Sequence, residues 1–298
     1  MELVTGDIRD REAVRKAVRD RELVFHLAGN AHPSSVTPYR AYEAINVGGT
    51  RNVLEGAAAS GRLERLVVAS SIAATGPSRD GEPVTEASAR RPITNYGRSK
   101  VAVEDLCQSY HQNKKLPVVV VRPPMVYGVG DREWLGLFEM IGARGMPLLG
   151  VPIPGDHENL FDFCYVDNLV EGLNLAATSA HAAGQIYFLS DERPYRIREI
   201  IDAVAAALEI SSPKKFWPLW LEKAVATLLD TVGFVIRQDM PLSRRTVRWM
   251  TENYWVCDVS KARADLGYSP SISLQEGVRR TIDWARSKGL MADGTRGG

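Results

Sequence analysis

The chain has 298 residues, 45% hydrophobic and 24% charged, with 37 Lys and Arg against 36 Asp and Glu and a net charge of +1. That balance suits a soluble globular protein with one large or two modest cores, and excludes a disordered chain or a strongly basic nucleic-acid binder. Cys107, Cys164 and Cys257 are odd in number and far apart, so they form neither a disulfide framework nor a metal-ligand spacing, and they read as reduced and buried in a reducing, cytoplasmic setting.

The chain opens MELVTGDIRD, where "LVTGD" reads as the end of a strand and "DIRDREAVRKAVRD" as a capped helix. "ELVFHLAG" (22–29) reads as a buried-type strand, and 41–60 has helical spacing. "ERLVVASS" (64–71) is a second strand and 95–113 a second helix. "LPVVVVRPP" (116–124) carries four valines in a row, the mark of a strand covered on both faces. A helix follows over 133–145. This alternation predicts crossover units and a doubly wound parallel α/β sheet.

Beyond about residue 145 the pattern loosens. "GQIYFLSDERP" (184–194) reads as one more strand, with helices over 196–210, 217–236, about 241–252 and 273–288. The last begins with Ser273 as N-cap and Glu276 three residues on. The division expected is an incomplete dinucleotide-binding domain over 1–150 and a mostly helical substrate cap over 151–298. Residues 184–210 are expected to return to the first domain. The segment 216–237 is apolar but carries Glu222, Lys223 and Asp230, so it reads as a helix packed on the core or lying on a membrane surface rather than spanning one.

The strongest chemical signal is Tyr96-x-x-x-Lys100, a spacing that stacks both side chains on one helix face. A nearby ammonium favours a phenolate and pulls a tyrosine's pKa toward neutrality, which lets it exchange a proton with an alcohol or a ketone. Alone, the spacing is equally a solvated helix face. Ser70 and Ser71 end the strand just before this helix, on the rim where open parallel sheets bind ligands. One of the two serines is open to reading as a plain turn.

The ordered run "HLAG", "NVGGTRNVLEGA", "LVVASSIAATG", "YGRSK", "VVRPPMVYGVGD", "FDFCYVDNLVEG", "YFLSDERP" and "DVSKARADLGYSPSISLQEGV" resembles the extended short-chain dehydrogenase/reductases. Within these it most resembles the 3β-hydroxysteroid dehydrogenase and sterol 3-dehydrogenase branch. The resemblance implies a Rossmann-like fold and a catalytic set of Ser71, Tyr96 and Lys100. It places Asp7 and Ile8 at the adenine, Ala28 and Gly29 under the cofactor, and Pro123 at the nicotinamide end, with Tyr96 and Lys100 also touching NAD or NADP. Asn46 matches a family asparagine near the active site, with a plain helix hydrogen bond as the alternative. An apolar 216–237 suits an apolar substrate, while Arg244, Arg245 and Arg248 allow a charged substrate group or a lipid headgroup.

The glycine-rich turn that cradles a cofactor's pyrophosphate is absent: "GVGDREWLG" (128–136) and "GARG" (142–145) both lie in the wrong place. In the family "GDIRD" closes the third strand, so the first strands are expected upstream of Met1, leaving 22–28 as an exposed edge and cofactor binding weak. The leading expectation is an NAD(P)-dependent oxidoreductase of a secondary alcohol or ketone on an apolar, sterol-like substrate. The alternatives are a nucleotide-sugar epimerase or dehydratase, and a non-catalytic remnant or binding module. The expected partner is a small apolar molecule, not nucleic acid and with no metal. A peripheral membrane contact through 216–237 and a homodimer stay open.

Overall fold

The computed structural model describes residues 3–31, 37–142, 159–236, 244, 247, 251–252 and 254–291. Its main sheet is parallel, in the order β1 (Leu23–His26), β2 (Arg65–Ala69), β3 (Val118–Arg122) and β7 (Ile186–Phe188). The register runs Phe25↔Val67, Val67↔Val119 and Val120↔Ile186. Alternation along the valine-rich strands decides what each face meets. Leu66, Val68, Val118 and Val120 pack against α1 (Arg11–Val18), α3 (Gly49–Ala58) and α4 (Asn95–Lys114). Val67, Val119 and Val121 pack the other way, on α6 (Val166–Thr178) and α9 (Ser260–Leu266). Both faces are covered, which is why the valine run lacks polar residues.

β1 pairs with β2, and its Leu23 and Phe25, with Leu27 just after it, remain 42%, 40% and 59% exposed. Upstream of it the expectation fails: residues 3–7 pair with no strand among the described residues. They do run into a turn, as the sequence suggests, with Asp10 N–H donating to the Asp7 carbonyl at 2.9 Å. Asp10 then caps α1, its side chain accepting from the Glu12 and Ala13 amides.

The helix expected over 41–60 is interrupted. A short α2 (Tyr39–Tyr42) passes through a π-helical stretch, Glu43–Gly48, before α3 begins. The widened turn leaves Asn46 2% exposed. Close packing fixes the joint, since a Cβ on Gly49 would lie 2.8 Å from Ile8 Cγ2.

The remaining chain builds a second core. β4 (Met125–Tyr127) pairs in parallel with β6 (Phe163–Tyr165). β5 (Leu160–Phe161) lies between β8 (Tyr195–Arg196) and β9 (Tyr254–Trp255). Around them Phe138 of α5 (Glu133–Gly142), Ile200 and Val204 of α7 (Ile197–Ala207), and Val278 and Ile282 of α10 (Leu274–Ser287) share one apolar cluster. Ser273 caps α10 as the sequence predicts. α8 (Leu219–Ile236) exposes Trp220 and Leu228. No helix among the described residues is long and apolar enough to cross a membrane. Arg245, Arg248, most of 241–252, the side chains of 232–237 and the domain boundary expected near 150 fall outside the described residues.

Candidate active site

α4 starts at Thr94, whose hydroxyl accepts the Gly97 amide at 2.9 Å. The helix can begin this close to the sheet rim only because residue 97 is glycine: a Cβ there would sit 2.3 Å from the Ala73 carbonyl oxygen. Ala73 belongs to a 3-10 turn, Ile72–Ala74, capped by Ser71, whose Oγ accepts the Ala73 amide at 3.1 Å. The same Ser71 side chain lies near enough to the Tyr96 hydroxyl to favour its ionised form. One turn further, Lys100 Nζ donates to the Ala69 carbonyl at 2.7 Å and lies 5.7 Å from the Tyr96 ring centre. Ser71, Tyr96 and Lys100 are all buried. The structure thus brings together the serine, tyrosine and lysine at the C-terminal end of β2.

Their electrostatics differ from the sequence-based expectation. Burial pushes Tyr96 up to about 12, against a smaller pull from Ser71. Burial also pushes Lys100 down to about 8, opposed by the carboxylate of Glu104. The expected depression of Tyr96 by Lys100 is therefore not what the site displays. A dry pocket penalises both charged forms, and the ammonium is aimed at the Ala69 carbonyl rather than the phenol oxygen. His26, at the end of β1, is held down at about 4 by burial and by Lys100, and its Nε2 lies 2.9 Å from Thr50 Oγ1.

Asn46 does not make a plain helix hydrogen bond. Its Oδ1 accepts the Asn30 amide at 2.8 Å, while its Nδ2 donates to the Asn30 carbonyl and to Ser99 Oγ. Ser99 in turn donates to the Tyr96 carbonyl at 2.7 Å. Asn46 therefore joins the loop after β1 to the helix that carries Tyr96. Ala28 and Gly29 lie exposed on that loop, and a Cβ on Gly29 would meet Asn46 Oδ1 at 3.0 Å. Pro123 accepts the Ile72 amide at 3.0 Å, which sets it beside the Ser71 turn.

Asp7 and Ile8 stand apart from Ser71, Tyr96 and Lys100. Ile8 packs on α3, and Asn52 Nδ2 donates to its carbonyl at 3.0 Å. Asp7 is exposed, and the Arg9 guanidinium holds its carboxyl down at about 2. Sequence reasoning missed Gly97, Ser99, Glu104 and Arg122. Gly97 had a signal, a glycine in the first turn of an otherwise regular helix.

The residues fit the nicotinamide-ribose end of a dinucleotide. Lys100 spends one of its three donors on the Ala69 carbonyl at the end of β2, which leaves two for a ribose. No glycine-rich turn opens a helix among the described residues, so the fit does not extend to a pyrophosphate cradle.

Residues 1–189 match the NAD dependent epimerase/dehydratase family. The chain is 34% identical over 301 residues to an uncharacterised protein, y4nL, of Sinorhizobium fredii, covering 97% of this chain and 81% of that one. It is 29% identical to the 3beta-hydroxysteroid-dehydrogenase/decarboxylase isoform 2 of Arabidopsis thaliana, covering 95% of this chain but only 52% of the relative's length. In fold it is similar to the UDP-glucuronic acid 4-epimerase of Bacillus cereus solved with UDP-glucuronic acid and NAD, at a TM-score of 0.74 and 23% identity, over 95% of this chain and 81% of that one. A parallel sheet wound on both faces, the Ser71–Tyr96–Lys100 cluster at its rim and these matches together place the chain in the NAD dependent epimerase/dehydratase family.

Proposed function

We propose that the protein is an NAD(P)-dependent oxidoreductase acting on a secondary alcohol or ketone of an apolar, sterol-like substrate. The observation that carries this reading is the convergence of buried Ser71, Tyr96 and Lys100 at the end of β2, with Lys100 one helical turn beyond Tyr96. Bound NAD(P) supplies the hydride acceptor or donor. Ser71 and Tyr96 hold the substrate oxygen between their hydroxyls, and Tyr96 gives it a proton or takes one from it. Lys100 keeps a positive charge beside that exchange and offers its remaining donors to a ribose. Asn46 fixes the Tyr96 turn through Ser99. The likeness to the Arabidopsis 3beta-hydroxysteroid-dehydrogenase/decarboxylase supports the apolar substrate, as does the run of Leu219, Trp220, Leu221, Leu228 and Leu229 along α8.

The test is nicotinamide absorbance with NAD+ and NADP+, over a panel of apolar secondary alcohols and a panel of UDP-sugars. Turnover of an apolar alcohol that vanishes in Tyr96→Phe supports the reading. Turnover of UDP-sugars alone overturns the substrate assignment, and turnover of neither favours a non-catalytic binding module.

A further inference from the structure

Beneath the catalytic trio lies a buried charge cluster that the mechanism above does not use. Tyr96, Lys100 and Glu104 follow one another at successive turns of α4. Each faces the end of β2: Tyr96 lies by Ser71, Lys100 bonds the Ala69 carbonyl, and Glu104 Oε1 accepts from Ser70 Oγ at 2.6 Å. Glu104 also receives Arg122 in a two-pronged contact, Nε to Oε1 at 2.8 Å and Nη2 to Oε2 at 2.7 Å. Arg122 is the last residue of β3, directly before Pro123. Glu104 and Arg122 are 0% and 1% exposed. Arg90 approaches Glu104 from the surface side, its Nη1 at 3.5 Å from Oε2.

We propose that Glu104 is the positioning residue of this site, tying the ends of β2 and β3 to α4 so that Ser71 and Lys100 are set together, and keeping Lys100 charged. The inference rests on the reading of Ser71, Tyr96 and Lys100 as the reacting set. A burial argument supports the second half. The pocket around Lys100 disfavours its ammonium, and the groups acting on it are Glu104 and Cys107 of α4, with His26 facing it from β1. Of these, Glu104 acts most strongly in favour of the ammonium, while Arg122 and Arg90 share its carboxylate. The i, i+4 spacing sets the Glu104 carboxylate one turn from Lys100 on the same face of α4, so its charge reaches the ammonium.

The experiment follows the Lys100 side chain by NMR of protein labelled with 13C at lysine Cε, and in parallel measures kcat and KM for an apolar alcohol. In Glu104→Gln the Lys100 titration midpoint falls by about half a unit or more, and kcat falls about tenfold or more while KM stays within about twofold. In Ser70→Ala, which leaves the ion pair, kcat falls several-fold and the midpoint holds. In Arg90→Gln, which removes a surface cation beside Glu104, the midpoint rises. A folded Glu104→Gln with unchanged midpoint and kcat overturns the proposal. If Glu104→Gln does not fold, Ser70→Ala with native kcat together with Arg90→Gln at the native midpoint overturns it. The midpoint needs no turnover, so a protein that oxidises no alcohol still tests this inference apart from the proposed function.

Discussion

Substituting Gly97 by alanine is the sharpest probe of how α4 is docked. The new Cβ would lie 2.3 Å from the Ala73 carbonyl oxygen, 3.0 Å from Pro92 Cβ and 3.1 Å from the Ala73 carbonyl carbon. Ordinary contact begins at 3.4 Å, so the helix start must retreat from the Ile72–Ala74 turn by about 1 Å. The obstacle is backbone, which cannot swing aside as a side chain would. Overpacking of this kind costs about 1–3 kcal/mol, offset by up to about 1 kcal/mol of helix propensity gained over glycine. A net loss of up to about 2 kcal/mol follows when the offset is complete. The loss of activity is larger, because the retreat carries the Tyr96 hydroxyl away from Ser71, and a 1 Å misplacement costs about 100-fold in rate. Gly136, exposed on α5 with no atom within 4 Å of its would-be Cβ, is the matched control. Gly136→Ala stabilises by about 0.5–1 kcal/mol. Urea midpoints and kcat for both variants read this out. Gly97→Ala as stable as Gly136→Ala, or with native kcat, would refute the docking argument.

Burial pushes Asp162 up to about 7 and Asp191 up to about 6, far above an unfolded carboxyl near 3.9. The folded state then binds these protons more tightly, so stability falls as pH rises from about 4 to about 7. Asp162→Asn flattens that fall, and urea midpoints that stay parallel to the native protein between pH 5 and pH 8 would contradict it. His26 works in the opposite sense. Its folded value near 4 against about 6.5 unfolded removes stability as pH falls through that window. His26→Gln keeps a partner for Thr50 and lessens acid loss, measured as midpoints at pH 4.5 and 7.5. Cys107, Cys164 and Cys257 are free and buried, with thiols pushed up by burial. Ellman's reagent at pH 8 therefore reacts with none of them in minutes in the native protein, and with all three in denaturant; rapid native reaction would refute their burial.

The main sheet was legible because its signal is repetitive. Four consecutive valines at 118–121 demand cover on two faces, and both faces are covered. Caps at Asp10 and Ser273 were legible because a short polar side chain before an apolar period has few other uses. The two- and three-residue strands β4, β5, β6, β8 and β9 were not, since a period of two cannot show in so few residues. The π-helical stretch was hidden because 41–60 keeps an apolar stripe that a regular helix would also satisfy. At the site, the Tyr96–Lys100 spacing was readable, but Glu104 was not. Its importance lies in Ser70 and Arg122, residues 34 and 18 positions away, which only the sheet brings to it.

The charge state of the Tyr96–Lys100 pair belongs to the same class of hidden property, and it has a measurable consequence. Spacing alone sets an ammonium near a phenol and predicts an acidic tyrosine. Burial reverses that, leaving Tyr96 at about 12 and Lys100 at about 8. The lysine therefore loses its proton first as pH rises. At pH 7 the pair is a neutral phenol beside an ammonium, which is a proton source, poised to protonate the oxygen of a ketone as it is reduced. Ketone reduction is then flat in kcat below about 8 and falls above it as Lys100 deprotonates. Were Tyr96 the acidic partner, reduction would already decline well below pH 8 as the phenol lost its proton. A kcat profile for reduction that declines through pH 6 to 7, or rises between about 8 and 10, would show that burial does not govern the pair.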